Sequence, residues 1–212
     1  MNLPPPIPPE IARKLSDAKL PPPAPLLPRA LAFIADGLLA GLLACLVVHL
    51  LIPVFIPDDF PVFKETMQSL WQDYIAANHA AASGNTAVAN AFLQSIPEKV
   101  GNSAVQTATS FISLTAMLTA LAYFTLSESL TRGASFGKKI FRLRVISTLT
   151  GDSPRFLQTL SRSLWRACSV APAGLLIGIV VTINAHVPFF SYRRRAWHDK
   201  LAHTEVVDAK DA

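Results

Sequence analysis

Three long apolar stretches dominate the pattern of hydrophobic and polar positions along the chain. They cover about residues 30–56, 107–127 and 167–190, and a helix of about 20 apolar residues crosses a bilayer core of about 30 Å. The first stretch contains Asp36 and His49, the second contains no charged side chain, and the third is interrupted at Pro172. The pattern therefore predicts helices that cross a membrane.

The rest of the chain divides by composition. Residues 1–28 hold ten of the seventeen prolines, which predicts a Pro-rich cytoplasmic segment with one short helix at about residues 10–19. Residues 29–208 are predicted to form the membrane domain, and residues 209–212 a short tail. Within the membrane domain, residues 58–106 are rich in Ala and Asn with apolar residues at helical spacing, which predicts an extramembrane helical insertion.

Two short segments alternate in the manner of β-strands, at residues 140–147 and 204–208. They can form a small sheet only if both lie on the same side of the membrane. Residues 155–190 would then form a helical hairpin, with an amphipathic first arm up to residue 170 and a second arm from residue 175. The other possibility is one simple crossing. The predicted fold class is an all-α polytopic membrane protein with three or four hydrophobic helices and a small cytoplasmic β element.

Composition and charge agree with this prediction. Hydrophobic residues make up 51% of the 212 residues and charged residues 16%, well below the roughly 25% of soluble domains, so an ordinary soluble enzyme is disfavoured. Residues 128–166 carry eight basic and two acidic side chains, whereas residues 58–106 carry two basic and five acidic ones. The positive-inside rule then places residues 128–166 on the cytoplasmic side of the membrane, together with the N-terminus. The membrane is predicted to be a bacterial inner membrane. The net charge of +5 indicates anionic lipid at the cytoplasmic face rather than nucleic acid.

Asp36 is the candidate functional residue, because a carboxylate inside a membrane helix is costly and faces a partner or a wet cavity. Arg29 lies seven residues earlier on the same helix face, but about 10 Å away along the axis. Three interpretations stay open: a buried ion pair that holds helices together, a proton or cation site, and a carboxyl group that stays protonated. The candidate partner arginines are Arg29, Arg162, Arg166, Arg193, Arg194 and Arg195.

The sequence contains only incomplete matches to known catalytic or ligand-binding motifs. The segment from Gly133 to Lys139 contains glycines and lysines but lacks the spacing of a phosphate-binding loop. His198 and Asp199 could form an acid–base pair, but no nucleophile accompanies them, and the histidines are too scattered to bind a metal. We therefore predict no catalytic residue, no metal and no cofactor.

Three blocks of the sequence together resemble the RDD family of membrane proteins, which is named for one arginine and two aspartates. Arg29 and Asp36 match the first two, and Asp199 in the run R-R-R-A-W-H-D-K-L-A-H-T-E-V-V matches the third, with His198 and Lys200 beside it. The middle block, G-A-S-F-G-K-K-I-F-R-L-R-V-I, resembles the family's Gly-x-Thr/Ser-x-Gly-Lys segment and contributes Gly133, Gly137 and Lys138. The family's usual glycine between Ala202 and Thr204 is His203 here.

The resemblance implies an integral membrane protein without a known cofactor or catalytic residue. Transport has been proposed for some members of the family and an adaptor role in membrane complexes for others. We expect a non-enzymatic accessory or adaptor subunit that packs into a larger membrane complex, with other membrane proteins or further copies of itself as partners. The second hypothesis is a small proton- or cation-coupled component for ion or solute transport, with Asp36 as its site.

Overall fold

The computed structural model describes residues 20–170 and 191–210. The described chain is mostly helical and contains a small two-stranded sheet, so the predicted class is confirmed at that level. The predicted helix at residues 10–19 and the second arm of the predicted hairpin lie outside the described residues, as does most of the third apolar stretch.

Two of the described helices are long and apolar enough to cross a membrane. They are α1, Leu26–Phe55, and α4, Ser103–Leu130, whose most apolar 18-residue windows have mean hydropathies of 2.6 and 1.5. Only 11% and 22% of their most apolar windows are buried within the protein, which differs from the core helix of a soluble protein. Helix α1 begins four residues before its predicted stretch and ends one residue short of it, whereas α4 begins four residues earlier and ends three residues later than predicted.

The chain separates into two compact units, one of which comprises Ala44–Ala116. This unit contains α2, Asp59–Ala82, and α3, Thr86–Gly101, which occupy the predicted helical insertion. The two helices pack against each other through Tyr74 and Phe92, whose ring centroids are 6.1 Å apart. Lys99 Nζ also lies 2.6 Å from Asp73 Oδ2.

The other unit comprises the residues up to Leu43 and those from Met117 onward. After α4 its elements are α5, Phe136–Ile140; β1, Leu143–Ser147; α6, Phe156–Val170; α7, Trp197–Leu201; and β2, Thr204–Asp208. The predicted strands pair in an antiparallel ladder centred on Val145 and Val206. Pro23 and Ala24 extend this ladder on the free side of β2, where Ala24 N donates to Val206 O at 3.0 Å.

The sheet is built from two similar helix–turn–strand segments. In each segment a five-residue helix, α5 or α7, ends two residues before a residue in the left-handed conformation, and a five-residue strand follows directly. The left-handed residues are Arg142, with φ 54°, and His203, with φ 50°. His203 therefore adopts a conformation that glycine reaches without strain, and glycine is the residue that the resemblance leads us to expect at this place.

Gly133 lies in the turn that connects α4 to α5. Its φ is 95°, its N–H donates to Glu128 O at 2.7 Å, and its carbonyl accepts from Val145 N at 2.8 Å. A Cβ atom at this position would collide with the carbonyl oxygen of Val145. The glycine is thus required both by the left-handed backbone and by the close approach to β1.

A buried polar network as the candidate functional site

Asp36 lies on the buried side of α1, with 2% of its surface exposed. Its carboxyl group accepts three hydrogen bonds: from Tyr123 Oη on α4 at 2.8 Å, from the backbone N–H of Gly137 at 2.7 Å, and from Ser135 Oγ. All three donors are neutral. The carboxyl group therefore ties α1 to α4 and to the start of α5.

A buried ion pair with an arginine, one of the three interpretations of Asp36, is not the arrangement found among the residues that the structure describes. The described ion pairs join four of the candidate arginines to other carboxylates, namely Arg29 and Arg162 to Asp199, Arg166 to Glu128 and Arg193 to Glu205. The carboxyl group of Asp36 instead accepts from hydroxyl and backbone amide donors. Arg29 and Asp36 share a face of α1 but do not contact each other, as their separation along the axis already suggested.

Gly137 makes this arrangement possible, because its lack of a side chain lets α5 approach the backbone of α1. A Cβ atom there would lie 3.0 Å from Asp36 Cγ and 3.1 Å from Asp36 N, and closer still to Ala32 O. The short distance from Gly137 N to Asp36 thus depends on glycine at this position.

Asp199 is the centre of a second cluster. One of its carboxylate oxygens lies 3.1 Å from Arg29 Nη2 of α1, and the other lies 2.9 Å from Arg162 Nη2 of α6. The carboxylate also accepts from the backbone N–H of Ala196 at 3.2 Å, which caps the start of α7. Burial alone would raise the pKa of Asp199, but Arg162, His198 and Arg29 outweigh it and hold that pKa below its usual value.

Glu128 forms a third cluster near the end of α4. Lys138 of α5 and Arg166 of α6 both donate to its Oε1 atom, and the Arg166 guanidinium lies 5.5 Å from the centroid of the Phe124 ring. Burial, followed by the neighbouring Arg166, lowers the pKa of Lys138 to about 7, although Glu128 opposes this shift. Buried ions are stable only when paired, and this cluster pairs one carboxylate with two cations.

The remaining candidate residues lie around these clusters. Arg193 is buried against Glu205 of β2, with Nε 3.1 Å from Oε1, and its Nη2 atom donates to Pro21 O at 3.0 Å. Arg194 accepts a hydrogen bond from Arg29 through its backbone carbonyl, whereas Arg195 is half-buried and Lys200 is exposed. Burial lowers the pKa of His198 to about 3, so this imidazole, 3.3 Å from Asp199, is neutral at pH 7.

The comparison with known families finds one family whose pattern spans these clusters. The model of the RDD family matches residues 23–203, which include Arg29, Asp36 and Asp199. The chain belongs to the RDD family. No curated protein and no solved structure matches it. For this RDD protein the structure assigns the arginine and the second aspartate to one ion pair and the first aspartate to a separate, neutral-donor site.

Sequence reasoning missed Glu128 and Glu205 in this RDD protein. Glu128 is one of only two acidic residues in a strongly basic segment, and a lone carboxylate among many cations is a signal that could have drawn attention to it. Glu205 sits in a strand pattern that gives no indication of burial, yet none of its surface is exposed. Among the described residues no group of histidine, cysteine and acidic side chains could hold a metal ion.

Proposed function

We propose that this RDD protein is a non-enzymatic accessory or adaptor subunit of a larger membrane complex. The observation that supports the proposal is the paired state of its buried carboxylates. Glu128 and Asp199 each lie between two cations, and Asp36 accepts three hydrogen bonds. Carboxylates engaged in this way stabilise one arrangement of helices, whereas a transport site must release its partners in each cycle. Carboxylates that hold one arrangement of helices suit a subunit that positions other proteins.

The proposed setting is a bacterial inner membrane that α1 and α4 cross, with the N-terminus in the cytoplasm. The basic residues 128–166 then lie on the cytoplasmic side and the acidic insertion on the outer side. Since β1 and β2 are hydrogen-bonded to each other, both lie on the same side. One simple crossing between the strands would put them on opposite sides, so their pairing argues against that alternative.

Co-purification tests the adaptor proposal directly. A tagged copy at native expression level is extracted from its own membrane in a mild detergent, with and without cross-linking, and its complex is sized and identified. The proposal expects a stoichiometric membrane-protein partner whose yield falls when the chain is deleted. Recovery of the chain alone, or only as copies of itself, in both preparations would contradict an adaptor role.

The second candidate function is proton- or cation-coupled transport of an ion or solute through Asp36. It is favoured by one feature, the neutral donors around Asp36, since none of the described residues offers that carboxyl group an ion pair. Flux through proteoliposomes that contain the Asp36→Asn variant separates the two functions. The matched control is His49→Asn, which changes an exposed ionisable residue on the same helix. Transport predicts lost flux in a protein that stays folded. A structural role predicts loss of folded, monodisperse protein for Asp36→Asn but not for His49→Asn.

A further inference from the structure

Helix α6 is amphipathic in the reverse sense from a helix on a soluble protein. Its polar stripe, Thr159, Arg162, Ser163 and Arg166, is buried, with exposures of 0%, 0%, 0% and 7%. Its opposite face presents Phe156, Leu157 and Leu164, which are 58%, 74% and 48% exposed. A helix at a water-facing surface turns its apolar stripe inward, so the outer face of α6 is suited to an apolar medium.

The short helices α5 and α7 repeat the same arrangement. Each exposes two apolar side chains one turn apart: Phe136 and Ile140, both 56% exposed, and Trp197 and Leu201, at 43% and 59%. Each also carries an exposed lysine on its outer side, Lys139 or Lys200, and a buried charge on its inner side, Lys138 or Asp199. Apolar side chains beside exposed lysines are typical of helices that lie in a membrane interface.

The contacts with α1 place α5 and α7 at the depth of such an interface. Helix α1 has 30 residues, about 45 Å at 1.5 Å per residue, which matches a bilayer with both headgroup layers. Arg29, which binds Asp199 of α7, lies only about 4.5 Å from the start of α1. Ala32 and Asp36, which contact Gly137 of α5, lie about 9 and 15 Å from that start. Each headgroup layer is about 5–8 Å thick, so α7 falls within this layer. The α5 contacts lie in the outer part of the acyl chains, at about the 5–10 Å to which interfacial helices bury their apolar face.

We propose that α5, α6 and α7 form an interfacial platform inserted into the lipid leaflet at the Leu26 end of α1. The exposed apolar side chains of the platform contact acyl chains, and Lys139 and Lys200 contact anionic headgroups. The proposal rests on the membrane location given under the proposed function.

The lipid leaflet is favoured over a protein partner by continuity and by charge. The platform is joined to the ends of two helices of membrane length, whose own exposed side chains at this end include Leu31 and Leu130. The exposed charges of residues 131–168 are basic at Arg132, Lys139, Arg142 and Arg155 and acidic only at Asp152. This excess matches the negative potential of a leaflet that contains anionic lipid.

Depth measurement with spin labels tests the insertion. In a background with Cys45 and Cys168 replaced by serine, single labels are attached at Ile140→Cys, Leu157→Cys and Leu201→Cys in vesicles of phosphatidylethanolamine and phosphatidylglycerol. Collision rates with oxygen, which concentrates in lipid, and with a water-soluble nickel chelate are compared. For each label, the ratio of the oxygen collision rate to the chelate collision rate is calculated. This ratio is expected to be several-fold higher for the platform labels than for a label in water.

Two control labels calibrate the scale: Leu42→Cys on the exposed face of α1 for lipid, and Thr150→Cys in an exposed turn for water. Platform values equal to Thr150→Cys overturn the proposal. Protection from both reagents also overturns it, because a protein would then cover the platform. If Leu42→Cys itself reports water, the membrane location fails as well. If Leu42→Cys reports lipid and the platform reports water, the platform proposal fails alone.

The lysine contacts have a separate measurement. Thermal stabilisation by phosphatidylglycerol is titrated for the wild type, for Lys139→Gln with Lys200→Gln, and for Lys64→Gln as an exposed control on α2. The double variant is expected to bind phosphatidylglycerol more weakly, by about fivefold per lysine at low salt, while the control titrates like the wild type. An unchanged titration of the double variant contradicts the headgroup contacts.

Discussion

Replacement of Gly137 by alanine changes the contact between α5 and α1 by a single methyl group. The backbone of Gly137 is not in the left-handed region, so alanine meets no conformational barrier there. The obstacle is space, since the new Cβ atom would sit well inside 3.0 Å of Ala32 O and at 3.0 Å from Asp36 Cγ. Carbon and carbonyl oxygen atoms approach to about 3.3–3.6 Å, so α5 must move away from α1 by on the order of 1 Å.

The expected cost follows from two effects of that displacement. Overpacking of a tight contact costs about 1–3 kcal/mol. The hydrogen bond from Gly137 N to Asp36, 2.7 Å long, would lengthen beyond the usual range, and a bond to a carboxylate contributes about 1.5–3 kcal/mol. We therefore expect Gly137→Ala to lower the free energy of unfolding by about 3–5 kcal/mol.

The matched control is Gly37→Ala, one residue from Asp36 on α1. A Cβ atom at Gly37 meets no atom within 4 Å, and alanine is preferred over glycine in a helix by about 1 kcal/mol, so this variant should be neutral or more stable. The assay is thermal and denaturant unfolding in detergent, followed by tryptophan fluorescence and by the loss of the monodisperse peak in size exclusion. Equal stability of the two variants within about 0.5 kcal/mol would refute the close contact and, with it, the described role of Asp36.

Three further predictions concern the ion pairs and pH. Arg162→Met removes one of the two cations beside Asp199 and should lower the free energy of unfolding by about 3–5 kcal/mol. Adding Asp199→Asn should recover part of this loss, whereas strictly additive losses would argue against contact between the two side chains. Glu128→Gln leaves Lys138 without its carboxylate, so we expect this variant to lose far more stability than Glu65→Gln, and equal melting temperatures would contradict the buried cluster. Because burial lowers the pKa of His198 to about 3, an unfolded histidine binds more protons between about pH 3 and pH 6.5. The wild type should therefore lose stability as the pH falls below 6.5, and the His198→Gln variant should lose less. Parallel profiles of stability against pH would refute the lowered pKa of His198.

The long helices and the strands were predictable because their signals are local. The apolar stretches at residues 30–56 and 107–127 correspond to α1 and α4 with ends a few residues away, since a run of apolar side chains favours a helix of membrane length by itself. The strands at 204–208 and within 140–147 followed from alternation in the same way. Their pairing required only that both lie on one side of the membrane.

The partners of the charged residues could not be predicted in this way. Arg29 and Asp36 share a helix face, yet Arg29 binds Asp199, 170 residues away in the sequence. Helical periodicity shows which side chains point in the same direction, but not which distant element approaches that face. Glu128 and Glu205 likewise look like ordinary charged residues in the sequence, and only the packing of α5, α6 and Arg193 around them removes them from solvent.

The class of protein is encoded locally, because the helices of membrane length, the small sheet and the RDD motif residues all follow from runs and spacings of neighbouring residues. The division of the motif into an ion pair, Arg29 with Asp199, and a separate site where neutral donors bind Asp36 depends on how distant elements pack. The physical reason lies in geometry and desolvation. A buried charge is stabilised by whichever opposite charge or donor the fold brings within about 3 Å, and α5, α6 and α7 bring theirs from far along the chain.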